Sequence, residues 1–249
     1  MLHIRDTRRV VLLIALMSLP ACRSSRRLHV KDGFESTNLN PIWQSVKFVP
    51  GALQIQSERV RRGSRAACLT LRAGDQIDQE KGSELERAEL REASRLLSIE
   101  RADYEYSFSL FLPADFPVVP TRLVLAQWKQ DCNTEECPEN SPVLAIRYES
   151  GELRLTLQSG AKKQSLYRRT EDIRNQWLDF RFHIRFDRTP NGRVQAWLND
   201  RAIADFTGAT AYTEGYSEPG LFYFKTGMYR DHMAQPMTVC IDEYEKRKL

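Results

Sequence analysis

The sequence predicts an all-β fold, a sandwich of two sheets in a single domain, on three observations. Short alternating or β-rich stretches recur along most of the chain, turn signals separate them, and no long amphipathic helices alternate with them. At 249 residues the chain reaches the upper size for one domain, a length at which β architectures often remain one unit. With 41% hydrophobic and 28% charged residues, a core of ordinary size is available.

Residues 65–72 (RAACLTLR), 104–112 (YEYSFSLFL), 122–129 (RLVLAQWK), 143–148 (VLAIRY) and 152–157 (ELRLTL) read as strands. So do 178–186 (LDFRFHIRF), 193–198 (RVQAWL), 220–230 (GLFYFKTGMYR) and 237–244 (MTVCIDEY). Ser150-Gly151, Thr189-Pro190-Asn191-Gly192 and Asn199-Asp200 are the turns between neighbours. Only SRLLSI (94–99) and the segment 170–176 invite a helical turn. In 178–186, Phe180, Phe182, Ile184 and Phe186 share one face while Arg181, His183 and Arg185 share the other, the pattern of a half-buried strand. His183 is accordingly a surface strand histidine rather than a catalyst, and Trp43, Trp177 and Trp197 are core or rim residues rather than a sugar platform. Many short strands joined by hairpin turns make a sandwich or jelly roll. The absence of a Gly-rich phosphate loop disfavours nucleotide chemistry.

The first residues read as a leader. Arg5, Arg8 and Arg9 precede VVLLIALMSL (10–19), a run too short to span a bilayer and suited to the apolar region of a secretory signal. Leu19-Pro20-Ala21-Cys22 resembles the lipobox of bacterial lipoproteins, although Pro20 is not the usual small residue. The expected organisation is a signal peptide over 1–21, a tether over 22–30 lipidated at Cys22, and one β domain over 31–249. Arg23, rather than Asp, follows the lipidated cysteine and favours the outer membrane, facing the periplasm or the cell surface. The full chain carries a net charge of only +4, and the leader removes three arginines and one aspartate. A chain so nearly neutral is no polycation, so nucleic acid is not an expected partner and any anion site must be a local cluster. Nothing calls for a second subunit, and a monomer is expected.

Four cysteines remain after Cys22, an even number in an exported chain. Cys132 and Cys137 can close one loop, which leaves Cys68 with Cys240, an early strand with the last. Two cysteines five apart without a nearby histidine do not match a zinc spacing, so no metal is expected. The acidic loop 131–140 (DCNTEECPEN) projects into solvent in this reading. Ca²⁺ held by hard oxygen ligands is the alternative, and no other cofactor is implied.

Three polar rows depart from an ordinary solvated surface. In LERAELRE (85–92), Arg87, Glu89 and Arg91 share one strand face with Ala88 and Leu90 opposite. Gln127 and Lys129 share a face around Trp128. In YFKTGMY (223–229), Tyr223, Lys225, Gly227 and Tyr229 share a face, with Phe224, Thr226 and Met228 opposite. Each opposite row is mostly apolar. If the strands are neighbours, one sheet face carries all these groups, with Gly227 leaving room for a ligand to approach the backbone.

R-x-E-L-R, Q-x-basic and Y-F-K-x-G-x-Y, in this order, resemble the signature strands of the jelly-roll polysaccharide lyases: the alginate lyases, the glucuronan lyases and the heparin lyase I group. From Gly33 to the C-terminus the layout is most similar to the last group. The resemblance implies a concanavalin-like β-jelly roll and cleavage of an anionic, uronic-acid-containing polysaccharide by β-elimination. By that resemblance Tyr229 is the acid and base, Arg87 or Arg91 and Gln127 hold the substrate carboxylate, and Tyr223 and Lys225 belong to the same binding face. Glu89 is a poor ligand for a polyanion and is expected to orient the arginines. Arg91, Lys129 and Lys225 near Tyr229 would favour its phenolate form.

One position departs from the family: Lys129 stands where a catalytic histidine is usual. Lysine can neutralise a carboxylate, so the expected mode uses Tyr229 for both proton transfers and Lys129 as neutraliser. That mode suits sugars whose C5 proton and C4 oxygen lie on the same side of the ring, glucuronate or mannuronate. The rival is a non-catalytic, lectin-like carbohydrate-binding surface lipoprotein. A third reading, a structural envelope lipoprotein, predicts that the three rows do not converge.

Overall fold

The computed structural model describes residues 28–75, 85–132 and 141–249. The expected signal peptide over 1–21, Cys22, Cys137 and most of the acidic loop lie outside the described residues. Strands are numbered in chain order. The back sheet runs β14 (Arg201–Thr207), β13 (Arg193–Leu198), β12 (Trp177–Arg185), β7 (Asp103–Phe111), β16 (Met237–Lys248), β4 (Ala66–Leu71) and β3 (Leu53–Gln56), with β1 (His29–Asp32) also on β16. The front sheet runs β11 (Lys163–Arg169), β10 (Glu152–Gln158), β9 (Leu144–Glu149), β8 (Leu123–Asp131), β15 (Leu221–Asp231), β5 (Leu85–Glu92) and β2 (Trp43–Lys47), with the short β6 (Ser98–Ile99) on β15. Adjacent strands are antiparallel, and the two sheets enclose one apolar core, the expected all-β sandwich.

The core shows why the strands lie as they do. On β12 burial alternates strictly, with Phe180, Phe182 and Ile184 inward. Phe180 and Phe182 meet Phe108 of β7, Phe182 also meets Trp128 of β8 across the sandwich, and Phe224 of β15 meets Tyr106 and Phe108. Ring centroids are 4.7 Å apart for Trp128–Phe182, 5.0 Å for Phe108–Phe224 and 5.5 Å for Tyr106–Trp128. Each of these rings contributes on the order of 1.5–3 kcal/mol by leaving water, plus edge and offset stacking. Because successive side chains alternate, fixing Trp128 and Phe224 inward forces Gln127, Lys129, Tyr223 and Lys225 onto the open face of the front sheet.

Cys68 and Cys240 face each other in the β4–β16 register and are disulfide-bonded, as the pairing by elimination predicts. Cys132 is also disulfide-bonded, while its expected partner Cys137 lies outside the described residues. A 3₁₀ turn spans Ser94–Leu96, and residues 170–176 form turns without a helix. β1 begins at His29, so the last two residues of the expected tether pair with β16 instead. Strands β1, β2, β3, β11 and β14 carry little alternation in sequence. β11, KQSLYRR, closes one edge of the front sheet, where charged side chains block further pairing.

Candidate active site

β8, β15 and β5 are consecutive neighbours in the front sheet, so the three polar rows converge on one face. Tyr229 pairs with Arg87, Gly227 with Glu89, and Lys225 with Arg91 on one side and Gln127 on the other. Lys129 pairs with Tyr223, so along β15 Lys225 stands between that pair and Tyr229. The convergence removes the reading in which the rows disperse over a structural surface.

Glu89 is the hub. Only 2% exposed, it accepts a hydrogen bond from Gln127 Nε2 on one oxygen, while its Oε2 lies 3.9 Å from Arg87 Nε and 3.9 Å from Lys225 Nζ. A buried carboxylate needs compensating charge, and these two cations supply it. Gln127 keeps a second N–H beyond the one given to Glu89. Glu89 is therefore turned towards two cations and an amide of its own sheet.

The tyrosines differ. Arg87 lies over the Tyr229 ring at 4.4 Å from guanidinium carbon to centroid, and Arg122, just before β8, approaches from another side at 5.3 Å. Arg122 is held by Asp231 at 2.5 Å, so β15 supplies both the tyrosine and the acid that fixes its neighbour. Arg91 covers Tyr223 at 3.9 Å instead and reaches Asp131 Oδ1 at 3.3 Å. Burial pushes the Tyr223 phenol up to about 12, with Asp131 and Glu89 adding to the rise and Arg91 and Arg87 opposing it. Tyr223 is thus a neutral wall of the site, while half-buried Tyr229 is the tyrosine with solvent access. The guanidiniums over Tyr229 are those of Arg87 and Arg122, not that of Arg91 as the sequence suggested.

Gly227 also plays a different part from the one expected. Its φ of +130° places a Cβ, were there one, 2.2 Å from the Ala88 carbonyl oxygen and 2.9 Å from Leu69 Cδ1. The glycine lets β15 lie against β5 rather than opening space for a ligand, and it sits where the β15–β8 register slips between Thr226 and Tyr229. The inward row of β5 likewise departs from expectation. Ala88 and Leu90 are apolar, but Glu86 and Glu92 at its ends are buried charges. Glu86 pairs with Arg230 Nη2 at 2.6 Å and His232 Nδ1 at 2.7 Å, and Glu92 with Lys246 Nζ at 3.1 Å.

Residues 31–245 match the family model described as polysaccharide lyase. The chain belongs to the polysaccharide lyase family. Among solved structures, an endo-β-1,4-glucuronan lyase from the fungus Trichoderma reesei superposes with a TM-score of 0.65 at 17% identity, covering 83% of this chain and 91% of that one. An alginate lyase from Corynebacterium sp. superposes at 0.56 with 14% identity, covering 81% and 82%. An alginate lyase solved with an alginate trisaccharide superposes at 0.61 with 10% identity, covering 89% and 98%. At these identities the neighbours establish the shared jelly-roll fold. No curated protein sequence matches the chain.

Within this family member, several groups on the same face were not singled out from sequence. Arg147 of β9 and Arg154 of β10 are cross-strand partners on the open face, and Arg122 joins them. The alternation of VLAIRY and ELRLTL marks both arginines as outward, but only strand order places them beside the site. Among the described residues, no group of three or more His, Cys, Asp or Glu is arranged to hold a metal ion.

Proposed function

We propose that this polysaccharide lyase cleaves a uronic-acid polymer by β-elimination on the open face of β8, β15 and β5, with Tyr229 moving both protons. The observation that carries the reading is the cross-strand register. It sets a half-exposed tyrosine between two guanidiniums and, next along the same strand, sets Lys225 between Arg91 and Gln127.

The chemistry follows from that layout. The C5 proton is α to the carboxylate and becomes removable as the carboxylate takes up negative charge. Donors fixed around the carboxylate stabilise that charge without reorganising. Arg91, Gln127 and Lys225 are the donors in this reading, with Lys129 as a further neutraliser. The Tyr229 phenolate oxygen takes the C5 proton, the C–H electrons pass to the carboxylate as the enediolate, and their return forms the C4–C5 double bond as C4–O breaks. The phenol then returns its proton to the departing O4, so the residue ends as it began. One residue can do both when proton and leaving oxygen share a ring face, which favours glucuronate or mannuronate. In the same proposal Cys22 carries a lipid that holds the domain at the outer membrane. Radiolabelled palmitate incorporated by the intact protein but not by Cys22→Ser tests that part.

The test of activity is incubation of the purified chain with a panel of polyuronates while ultraviolet absorbance of the unsaturated product is followed. Absorbance should rise with at least one glucuronate- or mannuronate-containing polymer. Binding without product on every polymer would instead favour the non-catalytic carbohydrate-binding reading, which the lysine at position 129 motivates.

A further inference from the structure

The front sheet carries a second concentration of positive charge beyond the three motifs. Arg147 is only 8% exposed. Its Nε donates to Thr156 Oγ1 at 3.1 Å, and no carboxylate among the described residues forms an ion pair with it. The nearby acid Glu149 is engaged by Arg154. A buried guanidinium without an ion pair of its own costs stability, because its desolvation is only partly offset. Its surroundings raise the cost. Burial, then the positive charges of Arg122 and Arg154, push Arg147 down from the ordinary guanidinium range, and Glu149 opposes them only in part. Burial, then Arg147, Arg122 and Arg154, likewise push Lys163 down. Four cations thus gather at the β8–β11 side of the face: Arg122 is held by Asp231 and Arg154 by Glu149 and Glu152, while Arg147 and Lys163 form no ion pair among the described residues.

Their place relative to Tyr229 is set by register. Tyr229 pairs with Val124 of β8, and Val124 pairs with Arg147 of β9. Arg147 therefore sits two strand spacings away on the same cross-strand row, about 10 Å. Arg122 spans the gap, since it also lies over the Tyr229 ring. A polymer reacting at Tyr229 and crossing the strands would bring a neighbouring sugar unit over Arg147.

Resting on the proposed elimination at Tyr229, we propose that Arg122, Arg147, Arg154 and Lys163 form a second anion subsite for an acidic substituent, sulfate or carboxylate, on a sugar unit next to the one cleaved. The substrate would be a polymer with closely spaced acidic groups, and Arg147, Arg154 and Lys163 would select for it through binding rather than through the chemical step, with Arg122 shared between this subsite and Tyr229.

The experiment titrates the full chain with three polymers: an unsulfated polyglucuronate, heparin, and dextran sulfate, which has sulfate but no carboxylate. Losing one charge-assisted contact corresponds to about 10- to 100-fold in affinity. Arg147→Gln should therefore weaken binding by that factor, and Arg154→Gln by a smaller one. Weakening confined to heparin and dextran sulfate assigns the subsite to sulfate. Weakening confined to polyglucuronate and heparin assigns it to the carboxylate of an adjacent uronate. Where product forms, KM should rise with kcat held, the signature of uniform binding. If Arg147→Gln fails to fold, Arg154→Gln and Lys163→Gln are read by the same criterion. Affinities within twofold of the unaltered chain for all three polymers would overturn the subsite, as would absence of binding by the unaltered chain. Binding that depends on Arg147 with no product from any polymer would overturn the elimination and leave the subsite standing.

Discussion

The outer faces of the two sheets are built from the same residue types and use them in opposite ways. On the back sheet, charges neutralise one another locally. Arg61 grips Asp179 at 2.9 and 2.7 Å, Arg185 meets Asp103 at 2.9 Å, and His183 and Arg247 share Glu105. A cavity of about 250 Å³ on that face is lined by Arg61, Asp179, Arg181 and Trp197. Of its cations, Arg61 is held by Asp179, Arg62 lies 3.9 Å from Glu243, and Arg181 lies over the Trp197 ring at 3.9 Å. On the front sheet one buried glutamate serves Gln127, Arg87 and Lys225, two guanidiniums face Tyr229, and Arg147 lies among other cations. Concavity alone is therefore a poor guide to the site in this molecule. A face whose positive charge exceeds its own compensation is the face prepared for an anion.

The contrast can be broken experimentally, and the largest effect is expected at Tyr229. Tyr229→Phe should lower kcat by about 10²- to 10⁴-fold while polymer affinity measured by titration stays within a fewfold, because in the proposed mechanism the hydroxyl moves the protons and the ring remains. On the back sheet the large effect concerns stability. Replacing Cys68 and Cys240 by alanine should cost about 2–5 kcal/mol in denaturant unfolding, with kcat/KM of the still-folded fraction unchanged, because the bridge ties β4 to β16 away from the front face.

Glu89→Gln removes the hub charge and should lower kcat/KM by about 10- to 100-fold, the worth of a charged hydrogen bond. As a positioning residue, Glu89 should affect kcat more than KM, and Glu89→Asp should recover part of the loss. A smaller, pH-dependent effect is expected where the sheets meet at Glu100. Burial raises the pKa of this carboxyl, but hydrogen bonds from Arg188 and from the Gly220 and Arg188 backbone outweigh it and hold the group at about 2. A carboxyl depressed in the folded state stabilises fully above its ordinary value of 4.5. That contribution falls away as pH drops from there towards 2, so melting temperature should decline across that window. Glu100→Gln should flatten the decline. The smallest effect is expected on the back sheet: Asp179→Asn breaks a pair that is more than a third exposed and should change stability by no more than about 1 kcal/mol, leaving activity intact.

Much of the front face is legible in the sequence. Alternation put Arg87, Glu89 and Arg91 on one side of β5 and Tyr223, Lys225 and Tyr229 on one side of β15, since a strand has period two and its apolar row must be buried. The same pattern misled at its ends. Glu86 and Glu92 share the parity of Ala88 and Leu90, and nothing local says that Arg230 and Lys246, from distant strands, will meet them inside the core. Gly227 read as an opening because sequence shows its lack of a side chain but not the Ala88 carbonyl of the neighbouring strand.

By itself, the sequence determined the fold class, the Cys68–Cys240 pairing, and the side of each strand on which its functional groups stand, because these follow from periodicity and counting. Only the tertiary structure decided which cation faces which tyrosine, that Arg122 and not Arg91 joins Arg87 at Tyr229, and that Arg147 and Arg154 extend the same positive face. Those are matters of strand order and register between segments far apart in the chain. They are settled by how two sheets bury a common aromatic core, and no single strand carries that information in its own residues.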